Sequence, residues 1–93
     1  MNRGESFWER LAERTDLWEE AMPGQTIVEI AGTGRVLIEN HGGVLGYDCS
    51  NITVKVRFGC IQVSGCGLQI RRMSREQLII CGRIDSVMLH RRE

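Results

Sequence analysis

No run of about 18 apolar residues, the length that a membrane-spanning helix needs, occurs in this sequence, and its N-terminus carries charges where a signal peptide has its apolar stretch. These absences predict a chain made and kept in the cytoplasm. Net charge is absent too, because 12 Lys and Arg offset 12 Asp and Glu, so no global field draws in nucleic acid. The four cysteines, Cys49, Cys60, Cys66 and Cys81, contain no Cys-x-x-Cys pair and have no histidine at the spacing of a tetrahedral zinc site. They read as reduced thiols serving as small apolar residues, with cross-linking between copies permitted but not favoured. Aromatics are scarce where strands are expected: Tyr47 and Phe58 alone make no base-stacking platform.

The charges that are present are unevenly spread. Residues 1–20 hold six acids and three bases, whereas residues 51–93 hold eight bases against Glu76, Asp85 and Glu93. The two ends are therefore complementary, either because an acidic helix lies near basic strands or because the ends of neighbouring copies attract; the first arrangement is the simpler. At 93 residues, 42% apolar and 26% charged, the chain has the composition of one globular domain and is too short for two. We expect a single domain over 1–93, with a helix and linker in 1–24 and a β domain in 25–93.

Ser6-Phe7-Trp8-Glu9 has the Ser-x-x-Glu spacing of a capping box, which starts a helix near Phe7. Trp8, Leu11, Thr15, Trp18 and Met22 recur at spacings of three and four on one stripe, and Pro23-Gly24 ends the run. Two tryptophans on a short helix offer a large apolar surface. It either docks on the protein's own sheet or serves a partner; a membrane role fits poorly, because membrane-surface helices carry Lys and Arg rather than acids.

From Gln25 the period changes to two, with β-branched and aliphatic runs broken by glycine. The spacing predicts strands at Thr26–Ile30, Arg35–Glu39, Val44–Tyr47, Ile52–Phe58, Cys60–Ser64, Gly67–Arg71, Gln77–Cys81 and Arg83–Leu89. Ile52, Val54 and Val56, then Ile61, Val63, Leu68, Ile70, Leu78 and Ile80, form the expected core. Connections this short demand antiparallel neighbours. The expected fold is mainly β: an N-terminal amphipathic α-helix followed by a small antiparallel β-sandwich or roll of about seven to eight short strands. A short β-solenoid-like stack turning on its glycines is the alternative, although its repeat is irregular.

Asn40, His41, Gly42 and Gly43 tolerate positive φ between two apolar runs and read as a hairpin tip joining Arg35–Glu39 to Val44–Tyr47. Here Asn40 is expected to hydrogen-bond its own turn and His41 to sit partly exposed. A Cys/His/Asn nucleophilic site does not follow, since adjacent side chains on an extended chain point apart and no cysteine stands in a nucleophile motif. Gly32-Thr33-Gly34 precedes a strand instead of a helix start, so it reads as a turn and not a phosphate loop. Arg71, Arg72 and Arg75, with Arg91 and Arg92, are the basic clusters that a nucleic-acid backbone would contact. We expect no catalytic residue, no cofactor and no metal.

Ile38-Glu39-Asn40-His41 followed by Gly43-Val44 resembles the signature of the YabP/YqfC family of sporulation proteins from endospore-forming bacteria. Leu11-Ala12 and Asp16-Leu17, the glycine-punctuated series Gly59, Ile61, Val63, Gly65, Leu68 and Ile70, and the closing Gly82-Arg83-Ile84-Asp85-Ser86-Val87 are similar to that family as well. Trp18 stands where a proline is expected after Asp16-Leu17, and Gly46 replaces the polar residue usual before Tyr47. The resemblance implies a non-enzymatic role in endospore formation. Its partner would be the protein itself or another sporulation protein, a membrane-associated one included, with no small-molecule substrate. Trp8, Leu11, Trp18, Asn40, His41 and Gly43 are the candidate interaction residues. A small nucleic-acid-binding module using the arginine-rich half is the alternative.

If the tryptophan stripe packs on the protein's own sheet, Trp18→Ala costs about 3–5 kcal/mol, as core aromatic truncations do, and little if the stripe is a partner surface. Measuring the melt and the solution mass of this variant together separates the two.

Overall fold

The computed structural model describes residues 24–92. These form six strands: β1 (Ile27–Ala31), β2 (Arg35–Glu39), β3 (Val44–Tyr47), β4 (Asn51–Val56), β5 (Gly59–Met73) and β6 (Gln77–Arg91). All pair antiparallel in one open sheet of order β1-β2-β6-β5-β4-β3. The expected antiparallel β domain is present, while the N-terminal helix lies outside the described residues. Two details differ from expectation. The sheet is one and not the two of a sandwich, and the eight expected strands are six, because Cys60–Ser64 with Gly67–Arg71 and Gln77–Cys81 with Arg83–Leu89 are each a single long strand. A solenoid stack is ruled out by the consecutive antiparallel ladders.

Turn chemistry accounts for the short connections. Gly32-Thr33-Gly34 joins β1 to β2, with the Gly34 N–H donating to the Ala31 carbonyl at 3.3 Å. Between β3 and β4, Asp48 Oδ1 accepts from the Ser50 N–H, the Ser50 hydroxyl and the Asn51 N–H, each at 2.8 Å. These bonds, that from the Ser50 backbone foremost, favour the carboxylate and hold Asp48 below the usual aspartate range. Between β5 and β6, the Ser74 hydroxyl accepts from the Gln77 N–H at 3.0 Å.

β5 and β6 are too long to lie flat. Their register shifts at Ser64/Gly65, Cys66/Gln69 and Ile70/Arg72, where extra residues bend the ladder. The shift at Cys66/Gln69 puts an extra residue on β5 and that at Ser64/Gly65 puts one on β6, and each changes which parity of its strand faces inward. Ile61 and Val63 are buried before the bend and Leu68 after it; on β6, Leu78 and Ile80 are buried before it, Ile84 within it, and Val87 packs against the core beyond it. The bend and the parity change together keep the apolar face inside on both halves.

The core therefore lies between the two halves of one folded sheet. β2 and the first half of β6 contribute Val36, Ile38, Leu78 and Ile80, all at 0% exposure, and β4 with the first half of β5 contribute Ile52, Val54, Ile61 and Val63, likewise at 0%. Every core residue expected from the alternation is buried or, as with Ile70, packed against the core.

Close backbone approach explains why glycine stands at the bend. A Cβ at Gly65 would overlap the Arg83 carbonyl oxygen, an atom that cannot move aside, whereas a Cβ at Gly46 on β3 meets nothing within 4 Å. Gly65→Ala is expected to lower stability by about 3 kcal/mol or more, and Gly46→Ala by well under 1 kcal/mol. Denaturant midpoints of the two variants, measured side by side, check this.

Candidate functional site

Residues 40–43 are not a hairpin tip. β2 pairs with β1 and β6, and β3 pairs with β4, so the four residues cross from one end of the sheet order towards the other. The chain bends at Asn40, and the groups that these residues bond lie far away along the chain.

Asn40 begins the crossover with φ 63°, a left-handed conformation that asparagine tolerates better than other side-chain-bearing residues. Its N–H donates to the Glu76 carbonyl at 2.6 Å and its Nδ2 to the Gln25 carbonyl at 2.6 Å. The side chain thus ties the approach to β1 rather than its own turn, which corrects the sequence expectation. His41 is equally committed. The Gly43 N–H donates to its Nδ1 at 3.0 Å, so the ring proton sits on Nε2, and Nε2 donates to the Ser74 carbonyl at 2.8 Å. Then the Gly42 N–H donates to the Lys55 carbonyl at 2.7 Å and the Lys55 N–H to the Gly43 carbonyl at 2.8 Å. Four residues therefore clasp the approach to β1, the β5–β6 hairpin tip and the end of β4.

On one side of this clasp an open groove of about 600 Å³ is lined by His41, Gly42, Gly43, Met73, Ser74 and Arg75. On the other, a smaller recess of about 280 Å³ includes Gly24, Asn40, Lys55 and Arg57. Both are shallow, and among the described residues their linings carry cations but no acid. His41 has neither a cysteine nor a carboxylate as a hydrogen-bond partner, and both of its nitrogens are engaged by backbone.

The outward face of β4–β5–β6 carries a polar ladder. Asn51 Oδ1 accepts from Gln62 Nε2 at 3.1 Å and from the Ser64 hydroxyl at 2.8 Å, and His90 Nε2 donates to Gln62 Oε1 at 3.2 Å. Cys60 lies in register with both His90 and Lys55. That Cys–His juxtaposition was invisible in the sequence, where the two are 30 positions apart, and only the strand register reveals it. It gives no nucleophile–base pair, since His90 Nε2 is occupied by Gln62. Among the described residues no three His, Cys, Asp or Glu side chains cluster to hold a metal.

Of the candidate interaction residues, Asn40, His41 and Gly43 are brought together in the clasp, while Trp8, Leu11 and Trp18 lie outside the described residues. Arg71 and Arg72 stand on β5, and Arg92, just past β6, donates from Nη2 to the Arg57 carbonyl at 3.2 Å. No helix among the described residues is long and apolar enough to cross a membrane.

The clasp changes what substitutions there should do. The sequence alone suggests that losing the His41 ring costs little, but the ring holds two backbone groups. His41→Ala is now expected to lower stability by about 1–3 kcal/mol. Gly43 has φ 119°, so Gly43→Val should destabilise by at least about 1 kcal/mol, as a β-branched residue is strained there. Urea titrations of both variants test this; an unchanged midpoint for His41→Ala would remove the ring from the clasp.

Comparison with known proteins gives one relation. No curated protein matches the chain, and no solved structure does. The model of the YabP family matches residues 23–93, a span that contains all six strands, the clasp and the glycine-lined bend. The match covers well over half of the sequence, and the chain belongs to the YabP family.

Proposed function

We propose that the protein is a non-enzymatic interaction protein of endospore formation, which assembles with itself or with another sporulation protein through the free edge of β3. Membership of the YabP family supports the link to sporulation. One observation carries the choice of β3. Among the described residues, four stretches of strand have an edge with no neighbour in the sheet order and register: β1, β3, the second half of β5 and the second half of β6. β1 bears Glu29, β5 bears Arg71 and Arg72, and β6 bears Asp85 and Arg91. β3, reading Val44-Leu45-Gly46-Tyr47, bears no charge, and its Leu45 and Tyr47 are 63% and 56% exposed.

Charged side chains on an edge strand discourage pairing with another chain, and like charges meeting across a dyad oppose self-pairing. β3 has neither obstacle. Its backbone N–H and C=O groups offer a ladder, and its two large apolar side chains add burial to whatever strand completes it. A domain of this size gains from any such burial.

Placing a charge on the edge tests the reading. Leu45→Lys and Tyr47→Lys should leave the melt nearly unchanged, weaken self-association or partner capture by about tenfold or more, and impair sporulation without affecting vegetative growth. Sedimentation of the purified chain and spore counts from the same alleles are the measurements. Folded variants that sporulate at wild-type efficiency would overturn the proposal.

A further inference from the structure

We propose that residues 7–22 double back from Pro23-Gly24 and close a seam left open between the outer edges of β1 and of the second half of β6. The inference is independent of the β3 reading, because it concerns the other edges of the sheet. Bonds at two ends bring these edges face to face. At the bend, the Ile84 N–H donates to the Thr33 carbonyl at 2.8 Å and the Gly82 N–H to the Gly34 carbonyl at 3.2 Å, which ties the β1–β2 turn to β6. At the far end, the Arg92 N–H donates to the Phe58 carbonyl at 2.8 Å. Phe58 and Arg57 there line a recess of about 180 Å³ together with Gln25 and Thr26, the residues just before β1. β1 thus leaves Phe58 for the bend while β6 leaves the bend for Phe58, and the two run antiparallel along one gap. No Cα of β1 comes within 8 Å of one in β6, far beyond the roughly 4.8 Å of a paired ladder.

The side chains along the gap belong to an unfinished core. Val28 and Ile30 pair with Ile38 and Val36, and Val87 and Leu89 pair with Val63 and Ile61. Directly opposed residues share a face, so all four point inward. Their partners are at 0% exposure, yet Ile30 is 52% and Leu89 61% exposed. Beside them, in the recess at the far end, the Thr26 hydroxyl is buried with no hydrogen-bond partner. Burial of that apolar surface would stabilise the domain, and a donor brought into the recess would satisfy the hydroxyl.

Several observations select residues 7–22 as the occupant. The segment joins the described chain at Gly24, where a Cβ would stand 3.4 Å from Arg57 Nη1, at the mouth of the gap. Gly24 has φ 73°, a left-handed conformation that lets the chain reverse directly after Pro23. As the helix that its capping box and period predict, Phe7–Met22 has 16 residues and a length of about 24 Å. The eight steps from Ile84 to Arg92 cover about 26 Å. Trp8, Leu11, Trp18 and Met22 on one stripe supply the apolar cover that Ile30 and Leu89 lack. Glu19 and Glu20, the acids nearest Gly24, come to the end of the gap that carries Arg57, Arg91 and Arg92. The direct connection at Gly24 gives the chain's own segment an advantage over that of a second copy.

Both tryptophans of the chain lie in this segment, so indole fluorescence reports on it alone. In the full-length wild-type protein the indoles should resist acrylamide quenching severalfold better than free N-acetyltryptophanamide, equally at every protein concentration. Ile30→Lys and Leu89→Lys each place a charge in the gap and should bring quenching close to the free value, with the emission shifted to the red and the circular dichroism of the sheet retained. Where a lysine variant does not fold, Ile30→Gln or Leu89→Gln takes its place with the same expected direction. Leu45→Lys, on β3, should leave the indoles shielded. Wild-type indoles as accessible as free tryptophan, shielding that appears only where sedimentation shows a dimer, shielding unchanged in folded gap variants, or shielding removed by Leu45→Lys would overturn the proposal.

Discussion

The four residues between Glu39 and Val44 must join two places that a flat sheet would keep far apart. Asn40 bonds to Glu76 at the tip of the β5–β6 hairpin, and Gly42 bonds to Lys55, which stands in register with Cys60 and, through it, with His90. Along an extended strand the 14 steps from Glu76 to His90 cover about 46 Å. From Asn40 to Gly42 the chain reaches at most about 7 Å. The long hairpin has to fold back on itself for both sets of bonds to exist, and a sheet so folded encloses its own core.

Folding a sheet in this way carries a cost that the bend residues absorb. A regular strand turned through a sharp bend would keep its alternation and present the wrong side chains beyond it. The extra residue of β5 between Cys66 and Gln69 resets its alternation, so Val63 and Leu68 both point into the same core. Glycine backbones meet across the bend, where a Cβ at Gly82 would stand 2.7 Å from the Gly67 carbonyl oxygen. The bend brings together the distant segments that the clasp bonds join.

Much of this was legible in the sequence. Arg35–Glu39 and Val44–Tyr47 are strands with the bounds that alternation and turn residues suggest, and the inward side chains of β4 and β5 follow from period two. What could not be read was pairing. Asn-His-Gly-Gly supplies the same permissive backbone to a hairpin tip and to a crossover, and the choice is made by Ser74, Glu76 and Lys55, none of them a sequence neighbour. For the same reason glycines at 65, 67 and 82 looked like strand ends. A glycine that breaks a strand and one that lets two backbones touch leave the same mark in the sequence. The clasp residues themselves, Asn40, His41 and Gly43, stood out in advance, but their task of holding distant segments did not.

The position of β6 in the sheet bears on how the molecule comes into being during synthesis. It is the described strand made last, yet it lies between β2 and β5. Until it emerges, β2 has β1 alone beside it among the described strands, and Val36 and Ile38 lack Ile80 and Leu78, their partners in register. His41 likewise waits for Ser74, 33 positions later. The nascent chain therefore carries an unfinished apolar surface on the ribosome for most of its translation, and completion is a late, single event instead of a gradual one.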